Sequence, residues 1–177
     1  HESTLGNLLA AAFYWAGNQA SQDPVDVALT ASGVIRDTFP KGPITVSQVF
    51  NVASLGIGAD GVPGYPLISV YLTGKDLKNA IEVDASVPPL MSAAQLFYSG
   101  VGYSFNTNRM IFDKVDYAVL MREGGITEPI VDDQLYHVVT GLYIGQMLGA
   151  VESSTFNILT VTPRDAQGNP IDISQLE

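Results

Sequence analysis

Runs of helical spacing stand among strand-like runs in this chain without regular strand–helix–strand alternation, and that pattern restricts the fold more than any other feature. Ser3 stands as an N-cap before Leu5, Leu8, Leu9, Ala12, Phe13 and Ala16, and Gly17-Asn18 supplies a stop signal. Thr45-Val46-Ser47-Gln48 matches a capping box and predicts a short helix over 46–53. Thr73-Gly74-Lys75-Asp76 opens another, with Leu77, Ala80 and Ile81 on its apolar face. A fourth is expected over 142–151, with Tyr143, Met147 and Leu148 aligned. Strands are expected over 25–30, 67–72, 94–98, 101–106, 115–121, 136–140, 156–161 and 170–173. The expected fold is α+β, a mixed β-sheet packed with helices.

The chain has 177 residues, which is one domain's worth, and no fixed-period repeat or linker divides it. Ser86 to Pro89 reads as a surface loop rather than a hinge between lobes. A net charge of −10 with only eight scattered Lys and Arg argues against nucleic-acid backbone and anionic membrane surfaces as partners. No run of about 18 apolar residues spans a membrane. The absence of cysteine removes disulfides, thiolate chemistry and Cys-type zinc sites. The start, His1-Glu2-Ser3-Thr4, has neither an initiator Met nor a basic leader, so the chain is expected to be a piece of a longer polypeptide.

No motif in the chain supplies a catalytic constellation. Gly56-Ile57-Gly58-Ala59-Asp60-Gly61 spells G-x-G-x-x-G, but Val62-Pro63-Gly64 cannot sustain the helix that a dinucleotide site needs after it. His137, in an expected strand, reads as structural or surface, and His1 lies at a terminus, so no metal-ligand cluster is expected. Asp132-Asp133 reads as a solvated turn. Asp165-Ala166-Gln167-Gly168-Asn169 reads as a hairpin turn, because the acidic positions of a calcium loop are missing. Arg36 follows the Gly33 turn near a strand end. Its guanidinium suits a phosphate or carboxylate fork, or an ordinary salt bridge with Asp37 or Glu2. Tyr65, Tyr98, Tyr103 and Tyr143 are the aromatics that could stack on a base, where each contact is worth roughly 1–3 kcal/mol, although core packing is the ordinary role of such residues.

Five segments, in order, resemble the C-terminal, substrate-binding domain of the bacterial 5′-nucleotidase, UDP-sugar hydrolase and 2′,3′-cyclic phosphodiesterase family. They are Leu5-Gly6-Asn7-Leu8-Leu9-Ala10; Ser32-Gly33-Val34-Ile35-Arg36; Gly42-Pro43-Ile44-Thr45 with Val49-Phe50; Leu72-Thr73-Gly74-Lys75-Asp76-Leu77-Lys78-Asn79-Ala80-Ile81-Glu82; and Ser99-Gly100-Val101-Gly102-Tyr103-Ser104-Phe105. The second resembles the family's Asn-Gly-Gly-Gly-Ile-Arg turn, with Ala31 in place of the Asn.

The resemblance implies a metallophosphatase domain upstream, carrying two divalent metals, with this chain as the partner that recognises a small phosphate ester. It implies hydrolase chemistry in nucleotide catabolism, an extracytoplasmic location (periplasmic, secreted or cell-surface), and no catalytic residue or metal site within this chain. By the same resemblance Arg36, with Ser32 and Gly33 forming its turn, meets the phosphate end, and Tyr143 aligns with a base-stacking aromatic. Two departures stand out. Ser54-Leu55 replaces the first stacking Phe, and Gly145-Gln146-Met147-Leu148 stands where the family has a ribose-binding Gly-Gly-Asp-Gly. The substrate-binding set is therefore Arg36, Gly33, Ser32, Leu55 and Tyr143. The alternative implied by the departures is a degenerate structural or interaction module that binds no nucleoside.

Overall fold

The computed structural model describes residues 3–58, 61–89, 91–149, 151, 155 and 158–173. In chain order the elements are α1 (Thr4–Ala20), β1 (Val27–Ala31), α2 (Val46–Val52), β2 (Leu67–Thr73), α3 (Gly74–Ser86), β3 (Leu96–Ser99), β4 (Val101–Phe105), β5 (Val115–Met121), β6 (Thr127–Pro129), β7 (Leu135–Gly141) and α4 (Leu142–Gly149), with single 3-10 turns at Ser32–Val34, Ser92–Ala94 and Glu123–Gly125.

The expected α+β architecture with a mixed sheet is what forms. The main sheet runs β2-β7-β1-β3. β1 pairs parallel with β7 and antiparallel with β3, while β2 pairs antiparallel with β7. A smaller antiparallel sheet runs β4-β5-β6.

Strand alternation sorts the main sheet into two faces. Val27, Leu29 and Ala31 of β1 join Val70, Leu72, Tyr136 and Val138 in the core cluster, together with Leu77, Ala80 and Ile81 of α3. Those three helical residues are the face that the spacing predicts. The intervening side chains of β1 and β7 turn toward α1, which packs against β1, β3 and β7. A Cβ on Gly17 would lie 2.8 Å from Val139, so the glycine sets how close α1 comes to the sheet.

The capping signals act as written in the sequence. Ser3 accepts from the Gly6 N–H, Thr45 and Gln48 form a reciprocal capping box, and Thr73 accepts from the Asp76 N–H. Their information is local, so the sequence suffices to place them.

Several expectations need correction. α1 runs through Gly17-Asn18 to Ala20, because Gly17 is spent on close packing and Asn18 ties Tyr14 O to the Val25 N–H. α3 runs through Ser86, which is buried and donates to Glu82, so the loop begins only after it. α4 buries Ile144 and Leu148 and leaves Tyr143 and Met147 exposed. Of the expected strand over 156–161, residues 156 and 157 lie outside the described residues, and 158–161 form no strand. Residues 170–173 make only the bridge Arg164–Pro170 around the predicted Asp165–Asn169 turn, since proline has no N–H to extend a ladder. β6 was not expected, because a three-residue exposed strand has too little pattern to read.

Candidate functional site

At the carboxyl end of β1 the chain makes the 3-10 turn Ser32–Val34 and then extends toward Arg36. The Ser32 N–H donates to Gln95 O at 2.8 Å, and the Arg36 N–H donates to Val52 O at 2.9 Å. A Cβ on Gly33 would meet Ala93 O at 3.0 Å, so the turn is clamped between the end of α2 and the segment before β3. One guanidinium nitrogen of Arg36 donates back to Gly33 O at 3.3 Å. Arg36 is exposed and has no carboxylate partner among the described residues, so the alternative pairing with Asp37 is not made, and Glu2 lies outside them. The other three arginines are all engaged: Arg109 with Asp113 and Asp116, Arg122 with Asp26 and Glu128, and Arg164 with Asp76. In a chain of net charge −10, Arg36 is a cation left open to an anion.

Beside this turn lies a cleft of about 100 Å³. Leu9 and Phe13 of α1, Thr30 of β1 and Val34 of the turn form one side. Leu55 and Tyr65 from the α2–β2 loop, with Tyr143 and Ile144 of α4, form the other. Val34 lies two residues before Arg36, and Ala53, also in the wall, follows the Val52 that holds the Arg36 backbone. The fold thus brings the sequence-predicted Leu55 and Tyr143 into one cleft, while Ser32, Gly33 and Arg36 lie outside its lining, on the turn segment that contributes Val34 to it.

Of the lining residues outside the set of five, Tyr65 and Thr30 bear on what the cleft could hold. Tyr65 stacks on Tyr143 with ring centroids 5.6 Å apart and planes at 22°. Its ring lies over Gly56, which has φ +85 and whose Cβ, if present, would be 2.6 Å from it. Thr30 is fully buried, and its hydroxyl has no hydrogen-bond partner. Tyr65 is one of the four aromatics that the sequence offers for base stacking, but nothing in the sequence pairs it with Tyr143. Nothing in the sequence marks Thr30.

The other candidate motifs take structural roles. Ile57–Pro63 and the bonds Gly58 N–H to Val62 O and Gly61 N–H to Gly58 O fold the G-x-G-x-x-G segment into a small hairpin, with Ala59 and Asp60 outside the described residues. His137 is buried in β7, where Nδ1 lies 3.1 Å from Pro24 O and Nε2 lies 2.5 Å from Ser69 Oγ. A carbonyl oxygen can only accept, so Nδ1 donates its proton to Pro24 O. Asp132 sits on an exposed turn, where the ammonium of Lys78 at 2.7 Å holds its carboxyl below the usual range.

The strongest shifts among the described acids and phenols lie away from the cleft. Burial raises the Asp84 carboxyl, and burial together with Asp84's charge raises the Tyr103 and Tyr98 hydroxyls. Tyr103 donates to Asp84, and Tyr98 meets Tyr103 edge-on. Both tyrosines are partly buried and pack against the core. Among the described residues no group of three or more His, Asp or Glu could hold a metal ion, and no helix is long and apolar enough to cross a membrane.

The family described as 5′-nucleotidase, C-terminal domain, matches residues 1–152. The Trifunctional nucleotide phosphoesterase protein YfkN of Bacillus subtilis (strain 168) is 28% identical over 144 residues, which are 81% of this chain and 9% of that protein. The 5′-nucleotidase precursor from Thermus thermophilus superposes with a TM-score of 0.70 at 28% identity, over 97% of this chain and 31% of that one. The NAD nucleotidase NadN of Haemophilus influenzae shares the fold, with a TM-score of 0.66 at 17% identity over 88% of this chain and 26% of that one. The chain therefore spans less than a third of the length of each of these relatives.

Proposed function

This chain belongs to the 5′-nucleotidase C-terminal domain family, and from that premise we propose that it is the substrate-recognition domain of a two-domain, metal-dependent phosphohydrolase acting on nucleotides or related phosphate esters. The observation that carries the reading is the exposed Arg36 guanidinium, without a carboxylate partner among the described residues, two residues beyond the Val34 that lines an aromatic cleft. A planar organic group would enter the cleft against Tyr143 and Leu55. Its phosphate would meet Arg36, whose fork matches phosphate oxygens.

The described residues offer no donor set for a divalent ion. In this proposal the two metals, and the water they would activate, belong to an upstream catalytic domain of the same polypeptide, which is the partner of this one. Relatives named as nucleotide phosphoesterase and as 5′-nucleotidase precursor support the substrate class and an extracytoplasmic location.

Calorimetric titration of the chain with AMP and with adenosine tests the reading. AMP is expected to bind about tenfold tighter, or ~1.4 kcal/mol, with the difference lost in Arg36→Ala. Equal affinity for the two, or no saturable binding of either at millimolar concentration, would overturn it. The second reading, a module that packs without binding a nucleoside, is favoured by the direct Tyr65–Tyr143 contact, which leaves no gap for a ring between them.

A further inference from the structure

A ring sandwiched between two others needs two contact distances, so the outer planes must stand roughly 7 Å apart. Tyr65 and Tyr143, with centroids at 5.6 Å and planes at 22°, are in direct contact instead. Tyr65 therefore lies where a planar ligand stacked on Tyr143 would lie. The loop that carries it is built for this placement. Gly56 leaves the space that the phenol ring covers, and a side chain there would collide with it. The Gly64 N–H donates to Gly56 O at 2.9 Å, so the residue before Tyr65 is tied to the glycine beneath its ring. The residue after Tyr65 is fixed too, because the Leu142 N–H donates to Pro66 O at 2.9 Å at the start of the helix that carries Tyr143. Tyr65 thus sits between anchored neighbours, and its ring is half-exposed.

A second observation bears on what the cleft accepts. Its lining is apolar except at the tyrosines and at Thr30, which is fully buried with an unpartnered hydroxyl. A buried polar group without a partner is costly, so a ligand that supplies one is favoured over an isostere that does not.

From these observations, and resting on the recognition reading above, we infer that the cleft takes a planar heteroaromatic ring by exchanging Tyr65 for it on the face of Tyr143, and that Thr30 hydrogen-bonds a polar atom on the ring's edge. Tyr65 is then a specificity-determining residue: only a ring that stacks better than a phenol displaces it. Thr30 selects for heteroaromatic over hydrocarbon rings.

The test uses indole and indene, which share a shape and differ in one edge N–H. Both are titrated into the wild-type chain, Tyr65→Ala, Gly56→Ala, and Tyr65→Ala combined with Thr30→Val, with Tyr143 ring resonances and calorimetry as readouts. Tyr65→Ala is expected to bind indole at least tenfold tighter than wild type, with indene about fivefold weaker than indole in that variant and the preference gone once Thr30 is Val. Gly56→Ala displaces the ring while keeping it in the chain and is expected to raise indole affinity in the same direction, a second reading should Tyr65→Ala fold poorly. Weaker indole binding in Tyr65→Ala would show a fixed wall and overturn the exchange, as would no binding in any variant. Equal affinity for indole and indene would overturn the role of Thr30. None of these failures touches the AMP-over-adenosine difference that tests Arg36, so the two proposals fall separately.

Discussion

The two sides of the main sheet hold their ionised groups in opposite ways, although buried polar atoms without a hydrogen-bond partner occur on both, Thr30 Oγ1 on the cleft side and Tyr98 OH and Arg164 Nε on the α3 side. On the α3 side three carboxylates are buried, and each closes off backbone donors from elsewhere in the chain. Glu82 accepts from the Lys114 and Val115 N–H groups and from the Ser86 hydroxyl. Asp84 accepts from the Leu96 N–H and Tyr103, and Asp76 accepts from Thr73 and the Thr162 N–H. On the cleft side Arg36 has no acidic partner among the described residues, Thr30 has none for its hydroxyl, and two tyrosines cover each other. A carboxylate inside a low-dielectric core survives only when its oxygens are occupied. The difference teaches where stability and recognition are held. The α3 side fixes the fold, while the cleft side keeps groups available to something outside the chain.

The largest expected effect belongs to the saturated side. Glu82→Ala strands two backbone N–H groups and a hydroxyl in a buried site and is expected to cost about 3–5 kcal/mol, read as a lowered urea midpoint. A loss below about 1 kcal/mol would mean that the carboxylate anchors nothing.

Asp84 sharpens the comparison through pH. Burial raises its carboxyl above the unfolded value of about 3.9. The folded chain therefore binds more protons across that window. The stability contributed by Asp84 is fully present below about pH 4 and is lost as pH rises through the folded value, with a slope of at most about 1.4 kcal/mol per pH unit. Asp84→Asn keeps an acceptor for the Leu96 N–H and does not titrate. Wild type is thus expected to lose stability relative to Asp84→Asn as pH rises from 4, and to level off above the folded value. Parallel pH profiles in the two proteins would show that Asp84 is not the group responsible.

What the sequence shows of these two sides follows from how local each one is. Ser3, the Thr45–Gln48 box and Thr73 sit within four residues of the amides they serve, so α1, α2 and α3 were readable as patterns. The main strands were readable from their apolar runs. The buried role of Glu82 was not, because its two backbone partners lie more than thirty positions away. α4 misled the pattern because both its faces are apolar, and only packing decides that Ile144 and Leu148 go inward while Tyr143 faces out. In the cleft, Leu55, Tyr143 and the Arg36 turn came from a family resemblance. Tyr65 reaches Tyr143 across 78 positions of chain, and an unpaired hydroxyl at Thr30 is a property of its surroundings alone.

On the open side, Tyr143→Ala removes a partly exposed ring and is expected to cost less than about 1 kcal/mol in stability. Base–aromatic stacking is worth roughly 1–3 kcal/mol, so the same substitution is expected to weaken AMP binding about tenfold in calorimetry. A large stability loss without a binding loss would place Tyr143 with the saturated side.

Arg36→Ala is expected to have the smallest effect on the fold and to separate the two sides most cleanly. The guanidinium is exposed, pairs with no carboxylate among the described residues, and returns a single hydrogen bond to Gly33 O at 3.3 Å. An exposed substitution of that kind changes stability by about 0.5 kcal/mol or less. The turn itself is held by the Ser32 N–H, Ile35 N–H and Arg36 N–H bonds, which any side chain leaves in place. Thermal unfolding of Arg36→Ala should therefore overlay that of wild type, while its AMP affinity falls to that of adenosine. A marked loss of thermal stability would mean that the guanidinium already has a structural task, and that its apparent freedom beside the cleft is not freedom to bind a phosphate.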